Sequence, residues 1–146
     1  MLIHLTVPGE SSHVEDLNTA LDAVLSRHRI DQAVRDDVRL IVEELASNAI
    51  GHGGADVSQS PEHALSVHLV LDGDLLRLEF RDTGSAYDPL AAPDPDLDAD
   101  VEDRPIGGLG IFLIRQLAED IAYERRDDLN ILRISLRHPP LENPDA

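Results

Sequence analysis

The chain has 146 residues, no cysteine, and 12 basic against 29 acidic side chains, for a formal net charge of −17 at pH 7. That length holds one domain around a single core, and the charge excludes a phosphate-backbone binder, which gathers Lys and Arg on one face to displace counterions. Without cysteine, a bilayer-length apolar run or a signal-peptide start in Met1-Leu2-Ile3-His4, the expectation is a cytoplasmic protein that partners neither nucleic acid nor membrane.

In chain order, Leu2-Ile3-His4-Leu5-Thr6-Val7 alternates apolar and polar and stops at Pro8-Gly9, which predicts a strand at a sheet edge. From about Glu10 to His28 the spacing of Val14, Leu17, Leu21, Val24 and Leu25 is helical, with Ser11 or Ser12 as N-cap and Glu15 placed to close a capping box on Ser12. Asp31 caps a second helix that stops in Gly51-His52-Gly53-Gly54. On it Glu44, Asn48 and His52 recur every four residues; at ~100° per residue they form one row climbing ~6 Å per step. Val34, Val38, Ile41, Leu45 and Ala49 make an apolar stripe beside that row, which places it at the edge of the core.

Segments 64–71 and 75–81 flank Asp72-Gly73-Asp74 and predict a hairpin, which ends at Asp82-Thr83-Gly84. Asp88 to Asp103 holds seven acidic residues and three prolines in sixteen positions, too polar and broken to pack, and predicts a mobile loop. Gly107-Gly108-Leu109-Gly110 opens a helix with Ile111, Leu113, Ile114 and Leu117 apolar, running to about Asp120. Residues 121–125 and 129–136 read as a second hairpin, and the tail from His138 to Ala146 as disordered. Strands grouped into hairpins predict an antiparallel or mixed sheet with helices on one face. One domain spans residues 1–137.

Three stretches carry chemistry. A carboxylate at Glu44 can take a proton from an attacking hydroxyl, and the Asn48 amide oxygen one turn on can hold Mg²⁺ against phosphates. A Glu–Asn pair four residues apart is more often a plain hydrogen-bonded pair on a helix edge. Asp82, at a strand end, offers an acceptor for the exocyclic amine of adenine, and Gly84 lets backbone approach the ring; an ordinary Asp-Thr-Gly turn is the commoner meaning. The glycine run 107–110 offers bare amides and a positive dipole end, which hold phosphates without lysine. All twelve basic residues are arginine, so the lysine of a P-loop or of ordinary protein kinases is missing.

The ordered trio resembles the ATP-binding superfamily shared by DNA gyrase, heat-shock chaperones, sensor histidine kinases and mismatch-repair ATPases. Within it the likeness is to the small anti-sigma factor serine kinases of bacterial partner-switching systems. Glu44-Leu45-Ala46-Ser47-Asn48-Ala49-Ile50-Gly51-His52-Gly53 is similar to their first motif. Asp82-Thr83-Gly84-Ser85-Ala86-Tyr87-Asp88-Pro89 is similar to the second, and Arg104-Pro105-Ile106-Gly107-Gly108-Leu109-Gly110-Ile111 to the third. The resemblance covers about residues 10–137. It implies a two-layer α/β (α+β) sandwich of the Bergerat ATP-binding type, with ATP and Mg²⁺ as cofactors. Glu44 is then the base, Asn48 the metal ligand, Asp82 the adenine acceptor, and Gly107, Gly108, Leu109 and Gly110 the hinge over the triphosphate. It also implies a homodimer that phosphorylates a Ser or Thr on a small antagonist protein and binds a sigma factor or similar regulator as the alternative partner.

The chain departs from the pattern at two places. Asn130 stands near where relatives often place a hydroxyl residue in the late strand, and the acidic stretch 94–103 would repel a triphosphate unless Mg²⁺ or Arg104 offsets it. His52 fits a nucleotide contact and a packed helix-end histidine equally. Two other readings remain: a nucleotide-binding interaction module without phosphotransfer, and an ATP-binding fragment related to sensor histidine kinases. The intact Glu44 favours the kinase, because a module used only for binding needs no base.

Overall fold

The computed structural model describes residues 2–52, 64–91 and 109–138, with His52 and Leu109 placed by their backbone alone. The strands β1 (Ile3–Pro8), β2 (Ala64–Asp72), β3 (Leu75–Asp82), β4 (Asp120–Arg126) and β5 (Leu129–Arg137) form a sheet ordered β1-β2-β3-β5-β4. Every neighbouring pair is antiparallel, so the sheet is not mixed, and β1 lies at an edge as predicted.

Tight turns set both hairpins. Gly73, with φ of 60°, takes the left-handed position between β2 and β3 that costs other residues energy. Between β4 and β5, Asp127 (φ 53°) and Asp128 (φ 63°) are both left-handed, the pattern whose twist matches the flanking strands.

The alternation along β3 then decides which side becomes core. Leu76, Leu78 and Phe80 face one way, with Leu136, Ile134 and Leu132 opposite them on β5 and Val67 and Leu69 paired on β2. All are buried beneath α1 (Val14–Arg27) and α2 (Gln32–His52), with Ile111 and Ile114 of α3 (Leu109–Leu117) closing one end. The whole predicted stripe of α2 is buried, Val34, Val38, Ile41, Leu45 and Ala49. Burial of each large member stabilises by about 1.5–3 kcal/mol, so a charge at Ile41 would break the helix–sheet seam. The other side of the sheet carries charge, such as Arg133 bridging Glu79 at 3.1 Å and Glu124 at 2.8 Å. This is the expected two-layer α+β sandwich with helices on one face.

Three local expectations give way to longer-range contacts. The Ser12–Glu15 capping box does not form. Residues Ser11–His13 make a 3-10 turn, α1 starts after His13 without a side-chain cap, and the Glu15 carboxylate instead meets Arg39 Nη2 of α2 at 2.6 and 2.7 Å. The Glu15 carboxylate thus takes a full opposite charge on the next helix in place of a backbone N–H of its own.

The start of the acidic stretch is also ordered. Pro89–Ala91 form a 3-10 turn with Pro89 buried, and Leu90 packs on the core. Asp88 Oδ1 accepts from Leu90 N–H at 2.8 Å, and Arg115 Nη2 of α3 donates to Leu90 C=O at 2.7 Å. Composition hid that Leu90 could anchor the turn. Finally His138, assigned to the tail, donates its N–H to Asp74 C=O at 2.8 Å. Residues 92–108 and 139–146 lie outside the described residues.

Candidate functional site

Because positions 76, 78 and 80 of β3 face the helices, position 82 must too. The strand therefore ends its apolar face on a carboxylate. Across the sheet Asp82 pairs with Asn130 of β5, and Asn130 with Arg125 of β4, so a polar row caps the apolar ladders. Asp82 is 8% exposed and Asn130 7%. Buried polar groups of this kind are stable only when hydrogen-bonded.

Their bonds form one network. Asp82 Oδ1 accepts from Gly84 N–H at 2.9 Å and from Asn130 Nδ2 at 3.0 Å. The second Nδ2 hydrogen of Asn130 goes to Ser85 C=O at 2.8 Å. Its Oδ1 accepts Tyr87 N–H at 3.1 Å and the Tyr123 hydroxyl at 2.7 Å. Arg125 Nη1 donates to Gly84 C=O at 2.8 Å, and Ala64 N–H donates to the Thr83 hydroxyl at 2.9 Å. The turn after β3 is thereby tied to β2, β4 and β5. Burial pushes the Tyr123 hydroxyl above the ordinary phenol range, aided by the Asp88 and Asp82 charges and opposed by Arg125. Tyr123 thus stays protonated and able to donate.

Asp82, Ser85, Tyr87, Tyr123 and Asn130 line a pocket completed by Leu45, Asn48 and Ala49 of α2 and by Phe80, Pro89 and Leu132. The chain has only two Tyr, two Phe and no Trp, and three of those four rings are here. Apolar walls with a few convergent polar groups are the usual make-up of a small-ligand site, and flat rings suit a heterocyclic base. Motif reading missed Phe80, Ser85, Tyr87 and Tyr123 as site residues. The scarcity of aromatics was the available signal.

Asn48 enters the pocket because it shares a helix face with the stripe beside Leu45 and Ala49. Glu44 sits one turn earlier, half-buried, and meets the first turn of α3. A Cβ added to Gly110 would overlap Glu44 Oε2 and lie 2.6 Å from its Cδ and 3.0 Å from its Cγ. Only glycine leaves room for the carboxylate there. Neither Glu44 nor Asn48 makes a side-chain hydrogen bond among the described residues.

The fold thus gathers Asn48, Asp82 and Asn130 in one pocket, sets Gly84 on Asp82, and sets Gly110 on Glu44. Asn130 is placed beside Asp82 at the sheet end. Arg104, Gly107 and Gly108 lie outside the described residues, and of His52 and Leu109 only the backbone position is described. Among the described residues no three His, Cys, Asp or Glu side chains cluster as a metal cage.

Residues 7–136 match the histidine kinase-like ATPase domain family. The serine/threonine-protein kinase BtrW of Bordetella bronchiseptica is 30% identical over 122 residues, covering 82% of each chain. The serine-protein kinase RsbW of Listeria monocytogenes is 25% identical over 123 residues, covering 82% of this chain and 76% of that one. In fold, the chain is similar to the crystal structure of the RsbU and RsbW domains of a Mycobacterium tuberculosis protein. The TM-score is 0.64 at 15% identity, over 93% of this chain and 31% of that one. The chain belongs to the histidine kinase-like ATPase domain family, and its relatives there include the serine-protein kinases RsbW and BtrW.

Proposed function

We propose that the protein is an ATP-dependent serine/threonine protein kinase that phosphorylates a small antagonist protein and, as an anti-sigma factor, sequesters a sigma factor or similar regulator. The observation that carries the reading is the placement of α2 against the sheet end. Asn48 shares a pocket with the Asp82 carboxylate, and Glu44 stands one turn away against the first turn of α3. The names of the relatives support the same activity.

In this reading Asp82 accepts the adenine amine while Phe80, Tyr87 and Tyr123 wall the base. Asn48 would be the protein ligand of a Mg²⁺ ion brought with ATP, and such an ion would supply positive charge against the phosphates. Glu44 accepts the proton of the attacking hydroxyl. That oxygen bonds to the γ-phosphorus as the bond from phosphorus to the β–γ bridging oxygen breaks, and ADP leaves with the bridging oxygen. Gly110 keeps space for the Glu44 carboxylate. A homodimer in the cytoplasm completes the proposal.

Incubating the protein with Mg²⁺-ATP and small antagonist proteins encoded beside it, followed by mass analysis, tests the reading. Addition of one phosphate to a Ser or Thr is expected. Tight nucleotide and partner binding without transfer would favour the interaction module instead.

A further inference from the structure

Asn130 has no hydrogen-bonding capacity left over. A primary amide offers two donors and two acceptor sites, and all four are used: Nδ2 on Asp82 Oδ1 and Ser85 C=O, Oδ1 on Tyr87 N–H and Tyr123 O–H. Nothing remains for a nucleotide. The assignment of amide nitrogen and oxygen is fixed by the network, since the nitrogen lies between two acceptors and the oxygen between two donors.

The consequence falls on Asp82. Its Oδ1 is engaged twice, by Asn130 and by Gly84 N–H, whereas Oδ2 makes no hydrogen bond among the described residues and belongs to a side chain lining the pocket. We propose that Asn130 is a positioning residue that makes Asp82 a one-sided acceptor and thereby sets selection of adenine over guanine. The inference rests on the reading of Asp82 as the base acceptor.

Adenine presents one amine donor at position 6, which a single carboxylate oxygen satisfies. Guanine carries an acceptor at that position, and its donors on N1 and N2 pair best with both oxygens of a free carboxylate. Holding Oδ1 leaves the adenine bond intact and denies guanine its second bond. That is selectivity by withholding a partner from the competitor.

Calorimetric titration of Mg²⁺-ATP and Mg²⁺-GTP into wild type, Asn130→Val, Tyr123→Phe and Asp82→Asn tests this. Valine suits a strand, and thermal melting identifies which variants are folded. Asn130→Val leaves the Gly84 N–H on Oδ1 and opens the acceptor site that Asn130 fills, so the ratio of ATP to GTP affinity should fall about tenfold, the equivalent of one good hydrogen bond. In Tyr123→Phe, which removes one donor from Asn130 Oδ1, it should fall about two- to threefold, as a weak bond's loss allows. If Asn130→Val does not fold, the Tyr123→Phe ratio decides. An unchanged ratio in a folded variant, with Asp82→Asn still weakening ATP, would overturn the role of Asn130 alone. Unchanged ATP affinity in Asp82→Asn would instead overturn the adenine assignment beneath it.

Discussion

The two ends of the pocket differ in how many bonds their side chains have already made. At the sheet end, Asp82 and Asn130 are buried and joined to β4 and to the 84–87 turn by hydrogen bonds of 2.7–3.1 Å. At the helix end, Asn48 lines the pocket and Glu44 lies one turn away against Gly110; both are half-buried and make no side-chain hydrogen bond among the described residues. A pre-bonded site gives selectivity because it resists adjusting to a wrong base. In the proposed function, Glu44 and Asn48 would keep their lone pairs for the attacking hydroxyl and the metal.

If that division is right, variants at the two ends fail differently. Glu44→Gln keeps shape and loses the basic carboxylate, so phosphoryl transfer should fall about 10²-fold or more with ATP affinity unchanged, read by single-turnover transfer beside a titration. Asp82→Asn should weaken ATP binding by about 1–3 kcal/mol, the range for a buried donor or acceptor left unmatched. Equal affinity for wild type and variant would erase the sheet end's role.

Gly110→Ala sharpens the contrast within the helix end. The added Cβ displaces the Glu44 carboxylate, a flexible side-chain end, so transfer should drop about tenfold. Alanine also lowers the conformational cost of α3, so urea-unfolding stability should rise by about 0.5 kcal/mol. A loss of ATP affinity in place of transfer would make Gly110 a phosphate contact.

The smallest effect belongs to neither end. On the open side of the sheet, His68 stacks on His4 with ring centroids 3.8 Å apart. Its pKa is lowered from 6.5 by burial first, then by His4 and Arg81, with Glu79 opposing. A histidine depressed in the folded state contributes stability that is complete above its unfolded value. That contribution is lost as pH falls below about 6.5, until the folded form also protonates. The melting temperature should therefore decline modestly from pH 7.5 to pH 6, and less in His68→Gln, while the ATP to GTP affinity ratio stays constant.

The sequence made the sheet end half legible. The Asp-Gly turn fixes the register of β2 with β3, and alternation from Leu76 to Phe80 puts Asp82 on the core side, so its burial follows from a period of two. Its partner does not follow. Asn130 is 48 residues away across a β3–β5 pairing that no tight turn dictates, so the most connected side chain of the site stood out only as a departure from a family pattern. The Glu44–Gly110 approach is hidden for the same reason, as it depends on how α3 meets α2. The helical row of Glu44 and Asn48 was readable because helix geometry alone creates it. The capping box expected at Ser12 and not formed shows the converse, since a local motif cannot register that Arg39 of the next helix competes for Glu15.

The division between a binding end and a chemical end is tested most directly by single-turnover phosphorylation of an antagonist protein, followed by phosphoserine mass, as Mg²⁺-ATP is raised to saturation. Wild type, Asp82→Asn and Glu44→Gln are compared. The account predicts that Asp82→Asn approaches the wild-type rate at saturating ATP, its defect being in binding, whereas Glu44→Gln stays about 10²-fold slow at every concentration. A Glu44→Gln protein that transfers phosphate at the wild-type rate, or an Asp82→Asn protein that no ATP concentration restores, would contradict it.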